Sequence, residues 1–170
     1  MTTITIDRRQ RPNIAGRNVI FRKAVRAIIK ENNKFLMVLS NRMGDYKFPG
    51  GGLELNESDE NALIREVEEE TGYVVNQIRS KIIKVDEIQN DKENDEGIFH
   101  MESIYYLCTI EKEKKVQNLD KYEEELGFEA QWINLDEVLK INRIVLNNPK
   151  SSKWVEREIR VLEKLIELGI

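Results

Sequence analysis

The stretch from Pro49 to Tyr73 constrains the fold of this 170-residue chain more than any other segment. It reads PGGGLELNESDENALIREVEEETGY, in which three glycines precede a run with the spacing of a helix. Ser58 is suited to an N-cap, and Gly72 is suited to the left-handed residue that follows a last helical turn. We therefore predict a helix over 58–71 that begins shortly after a tight glycine loop.

An acidic stripe runs along one face of this predicted helix. Glu66, Glu69 and Glu70 stand at positions i, i+3 and i+4, so a helix places their carboxylates side by side. Carboxylates in a partly buried site repel one another, which raises their pKa values unless a cation compensates them. A hard divalent cation such as Mg²⁺, which prefers oxygen ligands, supplies that compensation. The alternative for such glutamates is a solvated, salt-bridged helix face.

The loop before the helix carries glycines and cations that suit phosphate binding. Glycine backbones can approach a ligand closely, and their carbonyl oxygens can join the coordination shell of a metal. Arg42 and Lys47 lie just upstream, where they can neutralise phosphate oxygens, and Tyr46 can stack on a nucleobase. These three residues are candidates for substrate binding.

The fixed residues between positions 51 and 73 follow a recognisable spacing. The order is Gly51, five residues, Glu57, seven residues, Arg65-Glu66-Val67, one residue, Glu69-Glu70, one residue, Gly72 and an apolar residue. This order resembles the Nudix box, the sequence motif of the Nudix hydrolases. Every fixed polar and glycine position is filled. The departures are Tyr73, where the family usually has an aliphatic residue, and Asn56, where glycine is common.

The resemblance implies a fold and a class of reaction. Nudix hydrolases cleave a nucleoside diphosphate linked to another moiety and usually require Mg²⁺ or Mn²⁺. The implied fold is α+β, an α/β/α sandwich around a mixed β-sheet. The implied partner of this chain is a nucleotide or another derivative of a nucleoside diphosphate.

The resemblance also assigns roles to single residues of the motif. The expected metal ligands are Glu66, Glu70, Glu69 and the carbonyl oxygen of Gly51. Glu69 can alternatively act as a partner of metal-bound water. Glu57 and Arg65 resemble an internal ion pair that orients the loop against the helix, which makes Arg65 structural rather than catalytic.

The sequence does not decide which residue accepts the proton of the attacking water. General-base catalysis requires a carboxylate or similar group within reach of that water. Glu66 and Glu69 are candidates inside the motif, and Glu125 and Glu129 are candidates downstream of it. Glu102, on a predicted strand, is a weaker candidate.

The rest of the chain reads as one domain with a basic N-terminal extension. Residues 1–17 are predicted to form an arm, either loose or an edge segment, and residues 18–170 to form a single Nudix hydrolase domain. We predict strands on both sides of the central helix and a charge-rich loop over 111–127. The apolar stripe of a C-terminal helix over about 152–168 is expected to pack on the sheet. If the subunit leaves that stripe uncovered, it predicts a homodimer.

Composition excludes several classes of protein. Lysine plus arginine is 27 and aspartate plus glutamate is 31, so the net charge of −4 argues against bulk nucleic-acid binding. One cysteine and one histidine exclude an intramolecular disulfide and zinc sites built from clusters of these residues. No apolar run approaches the length of a membrane span, and no signal peptide is visible, so we expect a cytoplasmic protein.

The class of substrate can be inferred only from the absence of residues that are typical of other members of the family. The chain has no proline between positions 50 and 148, whereas ADP-ribose hydrolases of the family commonly carry one shortly after the motif. The tyrosine of one common type of dinucleoside polyphosphate hydrolase is also missing from that region. The leading hypothesis is therefore a (deoxy)nucleoside triphosphate pyrophosphohydrolase that yields a monophosphate and pyrophosphate. The alternatives are hydrolysis of ADP-ribose, nucleotide sugars, dinucleoside polyphosphates or RNA 5′ ends, and a non-catalytic nucleotide-sensing module.

Overall fold

The computed structural model describes residues 1–9, 16–91 and 97–170, which form one mixed β-sheet with helices on both faces. The strands are β1 (Thr2–Asp7), β2 (Val19–Glu31), β3 (Lys34–Ser40), β4 (Asp45–Lys47), β5 (Tyr73–Asn90), β6 (Ile98–Lys114) and β7 (Phe128–Ile133). The helices are α1 (Asp59–Thr71), α2 (Lys121–Leu126), α3 (Leu135–Leu146) and α4 (Trp154–Glu167). The predicted α+β sandwich is confirmed.

The sheet opens near its middle, and the glycine loop enters that opening. The strand order is β1-β5-β6-β2-β3-β4, with β7 paired to β3. The pairs β1·β5 and β2·β6 are parallel, and the other pairs are antiparallel. The registered pairing of β2 with β3 is confined to the hairpin end, at 30–31 and 34–35. Further along β2, the amide groups of Ala27 and Val25 donate to the carbonyls of Pro49 and Gly51 at 2.8 and 2.9 Å.

Two large hydrophobic cores hold α1, α3 and α4 to the sheet, and a smaller cluster of Val38, Leu126 and Phe128 holds α2. Side chains alternate between the two faces of the sheet along β2. Val25 therefore packs with α1 on one face, whereas Ile28 joins the core beneath α3 and α4 on the other. The predicted start of α1 is confirmed, because the Ser58 hydroxyl accepts a hydrogen bond from the Asn61 amide at 3.2 Å. The predicted end is confirmed as well, since Gly72 adopts a φ of 76°.

The N-terminal arm and the segment over 111–127 can be compared with the sequence-based expectations. Thr2–Asp7 forms the edge strand β1, so the loose alternative does not apply to it, while positions 10–15 lie outside the described residues. The predicted loop over 111–127 is wrong over 111–114, which belong to β6, and over Lys121–Leu126, which forms α2. The capping box of Asp120 and Glu123 stabilises this short helix.

The C-terminal helix α4 packs on the sheet of its own subunit, which is the first of the two predicted alternatives. Its apolar stripe is buried in the core of the same subunit, through Val155, Ile159, Leu162 and Leu165. The stripe therefore gives no support to a homodimer. No helix within the described part of the chain is long and apolar enough to cross a membrane.

Candidate active site

The glycine loop brings main chain into direct contact with the carboxylates of α1. A Cβ atom on Gly51 would lie 2.2 Å from a carboxylate oxygen of Glu66. A Cβ atom on Gly50 would lie 2.1 Å from the Val25 carbonyl oxygen, and Gly50 has a φ of 136°. A side chain at Gly50 would clash with the main chain of β2, whereas one at Gly51 would displace the Glu66 carboxylate, so these glycines form a close-fitting cradle beside the acidic face of α1.

Three carboxylates from two helices converge on this cradle. Glu66 and Glu70 come from consecutive turns of α1, and Glu123 comes from α2. One carboxylate oxygen of each lies within 4.8 Å of the corresponding atoms of the other two. Glu70 is almost fully buried, with 1% of its surface exposed. A set of hard oxygen donors at this spacing fits a divalent cation such as Mg²⁺ or Mn²⁺.

The pKa values of this cluster reflect crowded negative charge. Burial, followed by the charge of Glu70, raises the pKa of Glu66. Burial is also the largest cause for Glu123, and with the charge of Glu70 it raises the pKa of Glu123 to about 7. Both shifts disfavour the charged carboxylates, so a bound cation would lower the free energy of the ionised cluster.

Gly50, rather than the predicted Gly51, presents its peptide group to the carboxylates. The carbonyl oxygen of Gly51 accepts the Val25 amide at 2.9 Å and so belongs to the backbone pairing with β2. The Gly50 amide donates to Glu70 at 2.8 Å, and its carbonyl accepts from Arg26 at 2.7 Å. Both carbonyl oxygens thus accept a hydrogen bond, so Gly50 becomes a second candidate for the carbonyl ligand and the role of Gly51 stays a prediction.

Lys47 supplies a positive charge inside the cluster. Its ammonium group donates to the carboxylate of Glu70 and lies 3.4 Å from the carbonyl oxygen of Gly50. The same group lies 4.7 Å from the centre of the Phe128 ring, a cation–π arrangement. Lys47 is 9% exposed, so this charge is directed into the cleft rather than into solvent.

Arg65 joins the loop to the helix. It donates two hydrogen bonds of 2.9 Å to the carboxylate of Glu57, in a bidentate pair. It also donates to Glu66 at 2.8 Å, to Glu69 at 3.1 Å and to the Gly52 carbonyl at 3.2 Å. Hydrogen bonding from Arg65 lowers the pKa of Glu57. These contacts have the geometry expected of the internal ion pair.

A cleft of about 670 Å³ lies in front of the carboxylates. Its rim carries the exposed Arg22 from β2, whereas Arg26 of the same strand is a buried part of the lining, and the far wall includes Trp154 from the start of α4. A side pocket of about 210 Å³ adjoins the cleft and shares Arg26 and Trp154 with it. The geometry thus joins an acidic cluster and a basic rim to a smaller, more apolar pocket.

Residues 20–155, most of the chain, match the NUDIX domain family. The chain belongs to the Nudix family. This membership confirms the resemblance drawn from the motif.

Known proteins add detail to this assignment. Over 51 residues the chain is 49% identical to an 8-oxo-dGTP diphosphatase of Proteus vulgaris, a match that covers 28% of this chain and 46% of that protein. A Nudix hydrolase structure from Nitrosomonas europaea matches with a TM-score of 0.58 at 21% identity, over 88% of this chain and 90% of that one. A UDP-X diphosphatase matches with a TM-score of 0.57 at 18% identity, over 89% and 65%. At these identities the two structures show the fold alone.

Several predicted site residues of this Nudix chain lie away from the cleft. Arg42 is exposed in the turn between β3 and β4. Tyr46 is buried in the core beneath α3 and α4, and its hydroxyl donates to Gln131 at 2.9 Å. Glu125 and Glu129 are exposed outside the lining of the cleft, and Glu129 accepts from Asn41 at 3.3 Å. The structure therefore brings none of these four side chains to the carboxylate cluster.

The remaining candidates divide between the cleft and the outer sheet. Glu69 lines the cleft but stands outside the group of three converging carboxylates. Glu102 lies 3.5 Å from Lys84 on β5, outside the cleft lining. Sequence reasoning missed Glu123 as a site residue, although its capping-box partner Asp120 was a readable signal for a helix there.

Proposed function

We propose that this protein hydrolyses the diphosphate linkage of a nucleotide, with a (deoxy)nucleoside triphosphate as substrate and a monophosphate and pyrophosphate as products. The observation that carries the proposal is the convergence of Glu66, Glu70 and Glu123 beside a glycine cradle and a basic rim. Such a cluster suits a divalent cation, and a basic rim suits phosphate oxygens.

In this proposal Glu66, Glu70 and the carbonyl oxygen of Gly50 would hold Mg²⁺ or Mn²⁺, and Glu123 lies beside them. When bound, such an ion neutralises phosphate charge and makes a water molecule more acidic. Arg22 on the rim and the buried Arg26 bind phosphate oxygens and orient the chain of phosphates along the cleft. Arg65 keeps the loop and α1 in register through Glu57 and does not contact substrate.

We propose Glu123 as the residue that accepts the proton of the attacking water, in place of the predicted Glu125 and Glu129. Its carboxylate reaches the cluster from α2, opposite α1. Glu66 and Glu69 remain alternatives inside the motif, because both line the cleft. A glutamate carboxylate within reach of the attacking water can accept its proton.

The side pocket suits the nucleoside part of the substrate. Trp154, Phe99 and Met101 give it apolar walls on which a base can stack, whereas Gln89 and Lys153 give it polar groups. A triphosphate is favoured because the Proteus vulgaris relative is named for a nucleoside triphosphate, although that match covers less than half of the relative. The missing proline after the motif points the same way.

A nucleotide panel with Mg²⁺ and Mn²⁺ tests the proposal. Products should be separated by ion-exchange chromatography, with Glu70→Gln as the inactive control. We expect turnover of triphosphates to monophosphate and pyrophosphate. A strong preference for ADP-ribose, a nucleotide sugar, a dinucleoside polyphosphate or an RNA 5′ end would reject the triphosphate assignment. Absence of any turnover would favour the non-catalytic sensing module.

A further inference from the structure

Lys47 contacts the same oxygen atoms that a metal ion would need. Its ammonium group donates to a carboxylate oxygen of Glu70 and lies 3.4 Å from the carbonyl oxygen of Gly50. Two other cations lie beside the cluster: Arg65 is held in a bidentate pair by Glu57, and Arg26 donates to the Gly50 carbonyl at 2.7 Å. Lys47 has no comparable carboxylate of its own outside the cluster among the described contacts.

The surroundings of Lys47 keep its charge inside the cleft. The residue lies at the end of β4, where it pairs with Val38, and its ammonium group lies over the Phe128 ring. With 9% of its surface exposed, the side chain cannot solvate its charge by turning to bulk water. Its polar partners must come from the carboxylates and carbonyl of the site or from an anionic ligand in the cleft.

We propose that Lys47 competes with the divalent ion for Glu70 and Gly50, and that it transfers to a phosphate oxygen when nucleotide binds. This inference rests on the proposed function. A divalent ion that approaches an ammonium group at contact distance is repelled by it, and the repulsion is strong where water is excluded. A nucleotide offers Lys47 an alternative anionic partner and so relieves the competition. Metal and nucleotide then strengthen each other's binding, because such coupling is reciprocal.

The test is a titration of the EDTA-treated protein with Mn²⁺. Electron paramagnetic resonance measures the concentration of free Mn²⁺ at each step, which gives the affinity of the protein for the ion. The titration compares the natural protein with Lys47→Met and with the charge-retaining Lys47→Arg. Lys115→Met is the matched control, because Lys115 pairs with Glu68 on the solvent side of α1 and is 61% exposed in its side chain. Each titration is repeated with a nucleoside triphosphate whose α,β-bridging oxygen is a methylene group.

Without nucleotide, we expect Lys47→Met to bind Mn²⁺ about tenfold more tightly than the natural protein, which corresponds to about 1.4 kcal/mol. The analogue should strengthen Mn²⁺ binding in the natural protein, in Lys47→Arg and in Lys115→Met, and much less in Lys47→Met. Circular dichroism checks folding, and Lys47→Gln replaces Lys47→Met if the latter is unfolded. Mn²⁺ affinity that is equal or weaker in the folded neutral variant overturns the inference. Absence of Mn²⁺ binding in every variant, with or without the analogue, overturns the proposed function itself.

Discussion

Replacement of Arg65 by alanine should destabilise the fold as well as impair the site. The substitution removes the bidentate pair with Glu57 and three further hydrogen bonds that join α1 to the loop and its neighbouring carboxylates. Loss of one partner from a fully buried ion pair costs about 3–5 kcal/mol, whereas an exposed pair contributes about 0.2–1 kcal/mol. The side chain of Arg65 is 25% exposed and that of Glu57 is 13% exposed. We therefore expect an intermediate loss of about 2–3 kcal/mol.

Urea unfolding followed by circular dichroism measures this loss directly. In thermal unfolding, the melting temperature of a chain of this size should fall by roughly 2–4 °C per kcal/mol, or about 4–12 °C in all. Arg143→Ala is the matched control, because its pair with Glu163 has exposed side chains and should contribute less than about 1 kcal/mol. If Arg65→Ala is no less stable than Arg143→Ala, the structural role assigned to the pair is wrong.

The difference in free energy of unfolding between the natural protein and Arg65→Ala should also depend on pH, which gives a second check of the ion pair. The pair lowers the pKa of Glu57 from its ordinary value of 4.5. A lowered pKa contributes stability that is present above the unfolded-state pKa and is lost as pH falls through the folded-state pKa. The difference between the natural protein and Arg65→Ala should therefore be largest near neutral pH and shrink below about pH 4.5. A difference that grows on acidification would contradict the reasoning.

Three further substitutions test the cluster and its support. Glu70→Gln should lower kcat by at least about 100-fold in steady-state assays, because it removes a charge that holds the metal, and should leave the circular dichroism spectrum unchanged. Glu123→Gln should lower kcat by about 100-fold or more, whereas the neighbouring Glu125→Gln should match the natural protein in the same assay. Glu158→Gln should cost about 2–4 kcal/mol in urea unfolding, because the buried carboxylate accepts the Phe48 amide at 3.2 Å and pairs with an arginine. Activity of Glu123→Gln equal to that of Glu125→Gln would remove Glu123 from the mechanism.

Features that depend on neighbours in the chain could be read from the sequence. Glu66 and Glu70 share a face of α1 because four residues make about one helical turn, whatever else the chain does. The ends of α1 follow from a side-chain cap at Ser58 and a left-handed glycine at Gly72, which are equally local. The motif spacing was specific enough to identify the family.

Features that depend on strand pairing could not be read in this way. Tyr46 and Lys47 are adjacent in a three-residue strand, so their side chains point to opposite faces of the sheet. Pairing with β3 fixes which face each residue takes, and it sends Lys47 to the carboxylates and Tyr46 to the core. The sequence shows that the two side chains lie on opposite faces of the strand, but it does not show which face each of them takes.

The sequence alone determined the acidic face of α1 and the run of glycines before it, and it predicted the pairing of Glu57 with Arg65, because all lie within one short segment. Only the tertiary structure decided that Glu123 completes the cluster, since more than fifty residues separate it from Glu70. Within α2, each residue turns the helix by about 100°, so Glu123 faces the cleft while Glu125 faces solvent. The direction of a helix face relative to a distant helix is set by packing across the sheet, and no local pattern encodes it.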